Sequence, residues 1–444
     1  MHLAATLKYP RNFQWLALSL TLIVLLCEAH LSIADPTTRP SPRQAVPPQG
    51  VVILWGGGDV PKALAGQLGL RQPGDRPAKD RGWVNLPDVA PGTAVLDRVM
   101  VDAHFLDASP PPELLAKLTA DPGLVGVGVS PGTALVIDGR SMQALGAGEV
   151  ALCLPASVTR PADRPVKIQR IAKGGKADLI ALSRAAIARL GPQFPPDIMP
   201  TPNVPTGTVM PCGGGTLPDS VLNRFIELAG GPGSPIVVMP IAQPDPETAN
   251  PETIGALKRL GCTDLTVPRQ RTHDQVESPA FAAAINRAHG IFFCGGRQWK
   301  YIDAYEGTIA PRLFAGVLAR GGVIAGSSAG AAVLADYMVR GDPLGNTDIS
   351  AEGYERGLCL LPGTAIDIHV TQRKRLAETK SLIKQFPQLL GLALDEATAA
   401  QVQGHIMTIL GSGQAVVLDG HAGSSLELKA GDRFDLQARQ KLKD

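Results

Sequence analysis

From residue 208 onward the chain alternates short apolar runs with segments of helical spacing. Thr208 to Cys212, Pro235 to Pro240, Asp264 to Val267, Gly290 to Cys294 and Val323 to Ala325 are short and apolar, as buried strands are. Between them, Ser220 to Ala229, Glu252 to Leu260, Pro279 to Arg287 and Arg312 to Arg320 repeat apolar residues at helical intervals. Strands separated by helices of about ten residues predict an α/β fold with a mostly parallel sheet covered on both faces. Ligands of such sheets bind beyond the carboxyl ends of the strands. Three glycine-rich turns fall there: Gly213 to Gly215, Gly295–Gly296 and Gly326 to Gly330.

The pattern before residue 208 is shorter. Val51 to Trp55 predicts a strand ending in Gly56-Gly-Gly58, and Ala177 to Leu190 has the spacing of a helix. Gly191 to Gly207, with six prolines, is the clearest boundary. The expected organisation is a smaller α/β domain over 51–158, a helix and Pro-rich linker over 159–207, a larger domain over 208–432, and a tail over 433–444.

The N-terminus predicts export. Lys8 and Arg11 precede the apolar run Leu16 to Leu26, and Ser32-Ile33-Ala34 has the small residues of a cleavage site. Removal of 1–34 would leave a Pro-rich leader over 35–50 and no stable membrane insertion, since the apolar run is short for a span. Leu26 before Cys27 is bulky where a lipid-attachment motif has a small residue.

Composition narrows the classes. The 444 residues are 44% hydrophobic and 18% charged, which is globular, and a net charge of +2 argues against a nucleic-acid partner. After the leader, Cys153, Cys212, Cys262, Cys294 and Cys359 are too scattered for metal-ligand spacing, so neither metal nor cofactor is implied; one disulfide is admitted.

The strongest chemical signal is Gly326-Ser327-Ser328-Ala329-Gly330, a Gly-x-Ser-x-Gly pattern between an apolar strand and a predicted helix over Ala329 to Met338. There the serine sits on a sharp strand-to-helix turn, exposed beside a helix N-terminus. Gly128 to Gly132 also fits, but Pro131 follows its Ser130 and has no N–H to stabilise an oxyanion, so Ser130 is a decoy.

The chain also matches itself. At an offset of 265, Asp102-Ala-His104 meets Asp367-Ile-His369, Thr133-Ala134 meets Thr398-Ala399, and Gly146-Ala-Gly148 meets Gly411-Ser-Gly413. From Asp102 to Gly148, 13 of 47 positions are identical. Gly56 to Pro61 matches Gly213 to Pro218 at an offset of 157. The first domain therefore reads as a truncated, non-catalytic repeat without a nucleophile.

Several segments of 208–418 together resemble the cyanophycinase-like serine peptidases (peptidase family S51): Gly213-Gly-Gly215, Ile291 to Gln298, Gly326 to Ala331, Gly357 to Gly363, Ile366 to His369, Gln372 to Arg375 and Leu394 to Ala399. The resemblance implies a three-layer α/β/α, glutamine-amidotransferase-like fold and a Ser–His–acid mechanism on a peptide substrate. Ser328 would be the nucleophile, His369 the base, and Gly295, Gly296 and Ala329 the oxyanion hole. The implied acid lies between serine and histidine, closer to the serine; Asp342, Asp348 and Glu352 are the candidates, and Asp348 is chosen because its distances from Ser328 and His369 are nearest the family's. Gln298, Arg373 and Arg375 fall on substrate-binding positions.

Departures bear on specificity. Arg297 stands where the family often has Asp, Ile368 and Val370 flank the histidine, and Glu378 replaces an expected arginine. The expectation is an exported serine-type exopeptidase or peptidase for aspartyl peptides, with β-Asp-Arg (cyanophycin-like) peptides as one substrate class. The alternative is a catalytically impaired peptide-binding or interaction protein. A homodimer, or an intramolecular pseudo-dimer with the first domain as partner, fits either.

Overall fold

In chain order the first lobe carries β1 (Val51–Trp55), β2 (Arg81–Asn85), β3 (Thr93–Leu96), β4 (Val99–Val101), α1 (Pro112–Ala120) and β5 (Val125–Val129). β6 (Thr133–Asp138), β7 (Ser141–Gly146), β8 (Val150–Leu154), β9 (Lys167–Ile171), β10 (Lys176–Asp178) and α2 (Leu179–Leu190) follow. The second lobe begins with β11 (Val204–Cys212), α3 (Asp219–Leu228), β12 (Ile236–Met239), α4 (Pro251–Arg259), β13 (Leu265–Thr266), α5 (His273–Val276) and α6 (Pro279–Arg287). Next come β14 (Gly290–Phe293), α7 (Trp299–Tyr305), α8 (Ala310–Ala319), β15 (Val323–Ser327), α9 (Ala329–Ala332), β16 (Ala335–Tyr337), β17 (Leu361–Ile368) and α10 (Leu376–Gln385). It closes with β18 (Leu390–Leu394), β19 (Thr398–Gly404), β20 (Ile406–Gly411), β21 (Ala415–Asp419), β22 (Ser424–Leu428), β23 (Arg433–Asp435) and β24 (Gln440–Lys441).

This computed structural model describes residues 51–56, 81–85, 93–96, 98–101, 110, 112–121, 123–243 and 251–443. The export segment, the leader, residues 57–61 and Asp102 to His104 lie outside the described residues. No helix among the described residues is long and apolar enough to cross a membrane.

The fold is α/β. A nine-stranded sheet runs β13-β12-β14-β15-β11-β19-β20-β23-β24. Its first five strands pair in parallel and the remaining four join antiparallel. Alternation along the parallel strands builds the layers, because successive side chains leave a strand on opposite faces. Ile291 and Phe293 of β14 join Phe281 and Ile285 of α6 and Phe314 of α8 in one core. Phe292, between them, joins Val221, Leu222 and Phe225 of α3 in another. Phe293 packs edge-on to Phe314 at 5.1 Å between centroids, and Phe292 to Phe225 at 5.5 Å. Each buried phenyl of this kind contributes about 1.5–3 kcal/mol.

A second sheet, β16-β17-β18-β21-β22, lies beside the first, with β17 and β18 parallel. The helix expected over Ala329 to Met338 is only the four-residue α9. Ala335 to Tyr337 instead pair with β17, so ladder bonds replace helical ones there. Residues 159–207 hold more than a helix and linker. β9 extends the sheet from β8, β10 pairs with β7, and α2 buries Leu179, Ile180 and Leu182 in the first lobe. Asp178 starts that helix by accepting from the Ala181 N–H. The expected tail likewise includes β23 and β24, paired onto β20. The five described cysteines are free thiols.

The two lobes share strand register residue for residue. Thr133 pairs with Gly146 as Thr398 pairs with Gly411, and Gly126 with Cys153 as Gly391 with Leu418. Val99 pairs with Val125 as Thr364 with Leu390, each at the offset of 265. Trp55–Ala134 corresponds to Cys212–Ala399 through the offsets of 157 and 265. In the first lobe β2 holds the place beside β1 that β15 holds beside β11. Ser130, on the decoy turn, receives the Glu149 N–H on its Oγ.

Candidate active site

The site is assembled on the end of β11. Three consecutive carbonyls there each take one incoming segment: Cys212 C=O accepts from Ser328 N–H at 3.0 Å, Gly213 C=O from His369 N–H at 3.0 Å, and Gly214 C=O from Ala397 N–H at 2.9 Å. One turn of backbone therefore fixes the serine elbow, the end of β17 and the end of β18. Gly214 has φ +104°, and a Cβ there would lie 2.3 Å from His369 Cε1, so only glycine lets this backbone lie against the imidazole.

Ser328 follows β15 and precedes α9 with φ 54° and ψ −117°, a conformation that costs a non-glycine residue on the order of 1–3 kcal/mol. The elbow is held tightly enough to impose it. A Cβ on Gly330 would sit 2.1 Å from the Phe293 carbonyl oxygen, which leaves no room for a larger residue. The strain lifts the serine hydroxyl out of the sheet toward the β17 end.

There Ser328 Oγ lies 2.7 Å from His369 Nε2. His369 is largely buried and also has positive φ, 54°. Its Nδ1 lies 2.6 Å from Glu396 Oε1. Burial holds the imidazole below the ordinary histidine range, partly opposed by its hydrogen bond to Glu396 and reinforced by Arg373 and Arg375. A neutral imidazole bonded to a hydroxyl on one side and a carboxylate on the other can take the hydroxyl proton, while the carboxylate balances the resulting charge.

The carboxylate is a correction to the expectation of Asp348. Asp348 is exposed, and the acid on His369 comes after the histidine, not before it. The other candidates are engaged elsewhere: Asp342 caps the Leu344 N–H, and Glu352 binds Arg189 at 2.8 Å. Parallel pairing gives the reason. Ile368 is opposite Leu394, so the chain emerges from both strand ends side by side, with His369 the first residue past β17 and Glu396 the second past β18. The signal lay in the Leu394-Asp-Glu396 segment itself, directly after an apolar run.

Of the oxyanion candidates outside the elbow, Gly295 lies against Ser328. A Cβ on it would be 3.4 Å from Ser328 Cβ. Its carbonyl accepts from the Gln243 side-chain amide, which aims the peptide. Ala329 opens α9, where the first N–H groups have no intrahelical acceptor. Gly296, at φ +137°, packs against the Ala242 carbonyl.

The three substrate-binding candidates separate. Gln298 is buried, and its Nε2 donates to the Val339 and Arg340 carbonyls at 2.8 Å each. Arg375 is buried too, donating to Ile368 C=O at 3.0 Å and Asn346 C=O at 3.2 Å. Burial and the neighbouring Arg340 push its guanidinium down to about 10. Both side chains thus brace backbone around the site, and neither is the open grip that was expected. Arg373 is exposed. Behind His369, Asp367 is fully buried and takes a bidentate pair from Arg340 at 3.0–3.1 Å plus the Thr379 hydroxyl at 2.8 Å. Ser328 opens onto a cavity of about 500 Å³ whose walls include Thr216, Leu217, Leu222, Glu252, Arg259 and Gly295.

Residues 213–410 match the family model "Peptidase family S51". The chain is 28% identical over 207 residues to the cyanophycinase of Geminocystis herdmanii, covering 46% of this chain and 76% of that one. It is also 28% identical to the cyanophycinase of Trichormus variabilis over 206 residues, covering 45% and 68%. A crystal structure of a peptidase from an acI-B1 Actinobacterium is 19% identical with a TM-score of 0.44, covering 52% of this chain and 97% of that one. The region from Gly213 to Leu410, which holds Ser328, His369 and Glu396, thus matches the model of peptidase family S51 and is similar to the cyanophycinases.

Proposed function

We propose that the protein is an exported serine-type peptidase acting on aspartyl peptides, β-Asp-Arg peptides among them. The observation that carries this reading is the hydrogen-bonded line from Ser328 Oγ through the His369 ring to Glu396, 2.7 Å and 2.6 Å. Ser328 attacks the peptide carbonyl carbon while His369 Nε2 takes the hydroxyl proton. The oxyanion is met by backbone N–H groups from Gly295, Gly296 and Ala329. His369 then gives its proton to the departing amine, leaving an acyl-serine. Water, deprotonated by the same imidazole, cleaves the ester and regenerates the hydroxyl.

The serine cavity holds one acid and one base, Glu252 and Arg259, beside apolar Leu217 and Leu222. That pairing suits a substrate carrying both charges, such as an aspartyl-arginyl unit. The rival reading, a catalytically impaired binding protein, draws support from Gln298 and Arg375, which are committed to backbone carbonyls. Fluorophosphonate labelling separates the two. Labelling of wild type but not of Ser328→Ala supports the peptidase; no labelling of wild type, or equal labelling of both, ends it. A panel of α- and β-aspartyl dipeptides then gives the bond. Export rests on Lys8 to Ala34, and a mature N-terminus near Asp35 in the secreted fraction is the result expected. By its shared register, the first lobe is read as a shortened non-catalytic copy that serves as an intramolecular partner.

A further inference from the structure

Between β16 and β17 the chain from Val339 to Thr347 forms neither helix nor strand, so its carbonyls lie outside the sheet ladders. Side chains supply donors instead. Gln298 Nε2 binds the Val339 and Arg340 carbonyls at 2.8 Å each. Arg297 Nη2 binds the Asp342 and Gly345 carbonyls, the latter at 2.6 Å. Arg375 Nη2 binds Asn346 C=O at 3.2 Å, and Arg340 Nη1 binds Thr347 C=O at 2.6 Å. The Arg340 N–H, bonded to the Ile349 carbonyl at 2.8 Å, closes the stretch into a loop.

These donors come from two parts of the serine site. Arg297 and Gln298 directly follow Gly295–Gly296, the turn assigned to the oxyanion hole. Arg375 also donates to the Ile368 carbonyl beside His369 at 3.0 Å, and Arg340 pairs with Asp367, two residues before the histidine. The loop is thus a strap, fastened at one end to the oxyanion turn and at the other to the histidine strand end. The Arg297 N–H donates to the Ala242 carbonyl at 3.0 Å, so one residue fixes the turn twice, by its backbone to the segment after β12 and by its side chain to the strap. Gly296 needs such support, because at φ +137° it has no side chain of its own to pack.

We propose that Arg297 is a positioning residue for the oxyanion hole, holding the Gly295–Gly296 turn in register with the His369 strand end through the 339–347 strap. The inference rests on the serine-peptidase reading. An oxyanion donor is effective only where the charge will develop, and removing one costs about 10²–10³ in kcat. Arg297 acts through the turn and not on the reacting atoms, so its loss is expected to cost less, about tenfold to a hundredfold. Ser328, His369 and Glu396 hang on other bonds, at the end of β11 and in the β17–β18 pairing.

The rate at which a fluorophosphonate labels the full chain tests this. Ser328 Oγ bonds to phosphorus as fluoride leaves, the hydroxyl proton passes to His369, and the phosphoryl oxygen occupies the oxyanion hole. Arg297→Met is expected to lower the plateau rate at least about tenfold, while the acid limb set by His369 keeps its midpoint. Both strap bonds come from one nitrogen, so the single ammonium of Arg297→Lys is expected to restore the rate to within about threefold of wild type. Melting curves identify folded variants, and Arg297→Gln, whose amide stops short of the strap, replaces the methionine variant if that one does not fold. A wild-type rate in Arg297→Met, a displaced acid limb, or a lysine variant as slow as the methionine one overturns the inference and leaves the peptidase reading standing. Absence of labelling in wild type overturns both.

Discussion

Ser328 and His369, 41 residues apart, are held by adjacent carbonyls of one strand end. Cys212 C=O receives the serine N–H and Gly213 C=O the histidine N–H, each at 3.0 Å. The hydroxyl–imidazole bond is thus set by backbone geometry before any side chain adjusts. This is the precision an attacking group needs, since misplacement by about 1 Å costs on the order of 10²-fold in rate.

Gly214 is the third residue of that run, and its backbone touches the imidazole. Gly214→Ala would place a methyl 2.3 Å from His369 Cε1 in a residue at φ +104°. We expect activity to fall by about 10² or more and stability by about 1–3 kcal/mol, read as kcat/KM and as a denaturation midpoint. A variant with wild-type kcat/KM would show that this backbone does not position the ring.

Glu396 and Asp348 make opposite predictions. Glu396→Gln removes the charge that balances the imidazolium, and kcat is expected to fall by about 10²–10⁴ with KM little changed. Asp348→Asn alters an exposed carboxylate, and both constants should stay within about twofold of wild type. The reverse ranking would return the acid role to Asp348.

The pH profile follows from the lowered His369 pKa. The base must be neutral to accept the serine proton, and its folded pKa lies below the ordinary value of 6.5. Activity should therefore rise along an acid limb with its midpoint below 6.5 and stay level through neutral pH. Glu396 raises that pKa, so Glu396→Gln should move the limb to still lower pH. A limb displaced upward in the variant would contradict this account.

Asp367 and Arg340 predict a stability effect distinct from the chemistry. Both are buried, and the pair sits behind the histidine. Asp367→Asn leaves the guanidinium partly unpaired in the interior, although Glu378 also contacts it at 2.8 Å. A loss of about 3–5 kcal/mol is expected when one partner of a buried pair is removed, and urea unfolding measures it. A change under about 1 kcal/mol would mean that Glu378 substitutes for the aspartate.

The sequence by itself determined the α/β alternation, the serine elbow and the histidine. Each rests on local information: apolar runs such as Gly290 to Phe293, a Gly-x-Ser-x-Gly turn, and an Asp-x-His at a strand end. The internal offsets were legible too, and the shared register expresses them in space. Tertiary structure decided the acid. Glu396 meets His369 only because β17 and β18 run parallel with Ile368 opposite Leu394, and no spacing along the chain encodes which strands become neighbours. It also turned Gln298 and Arg375 inward. A polar side chain binds whatever acceptor its fold presents, and here those acceptors are buried backbone carbonyls that need donors.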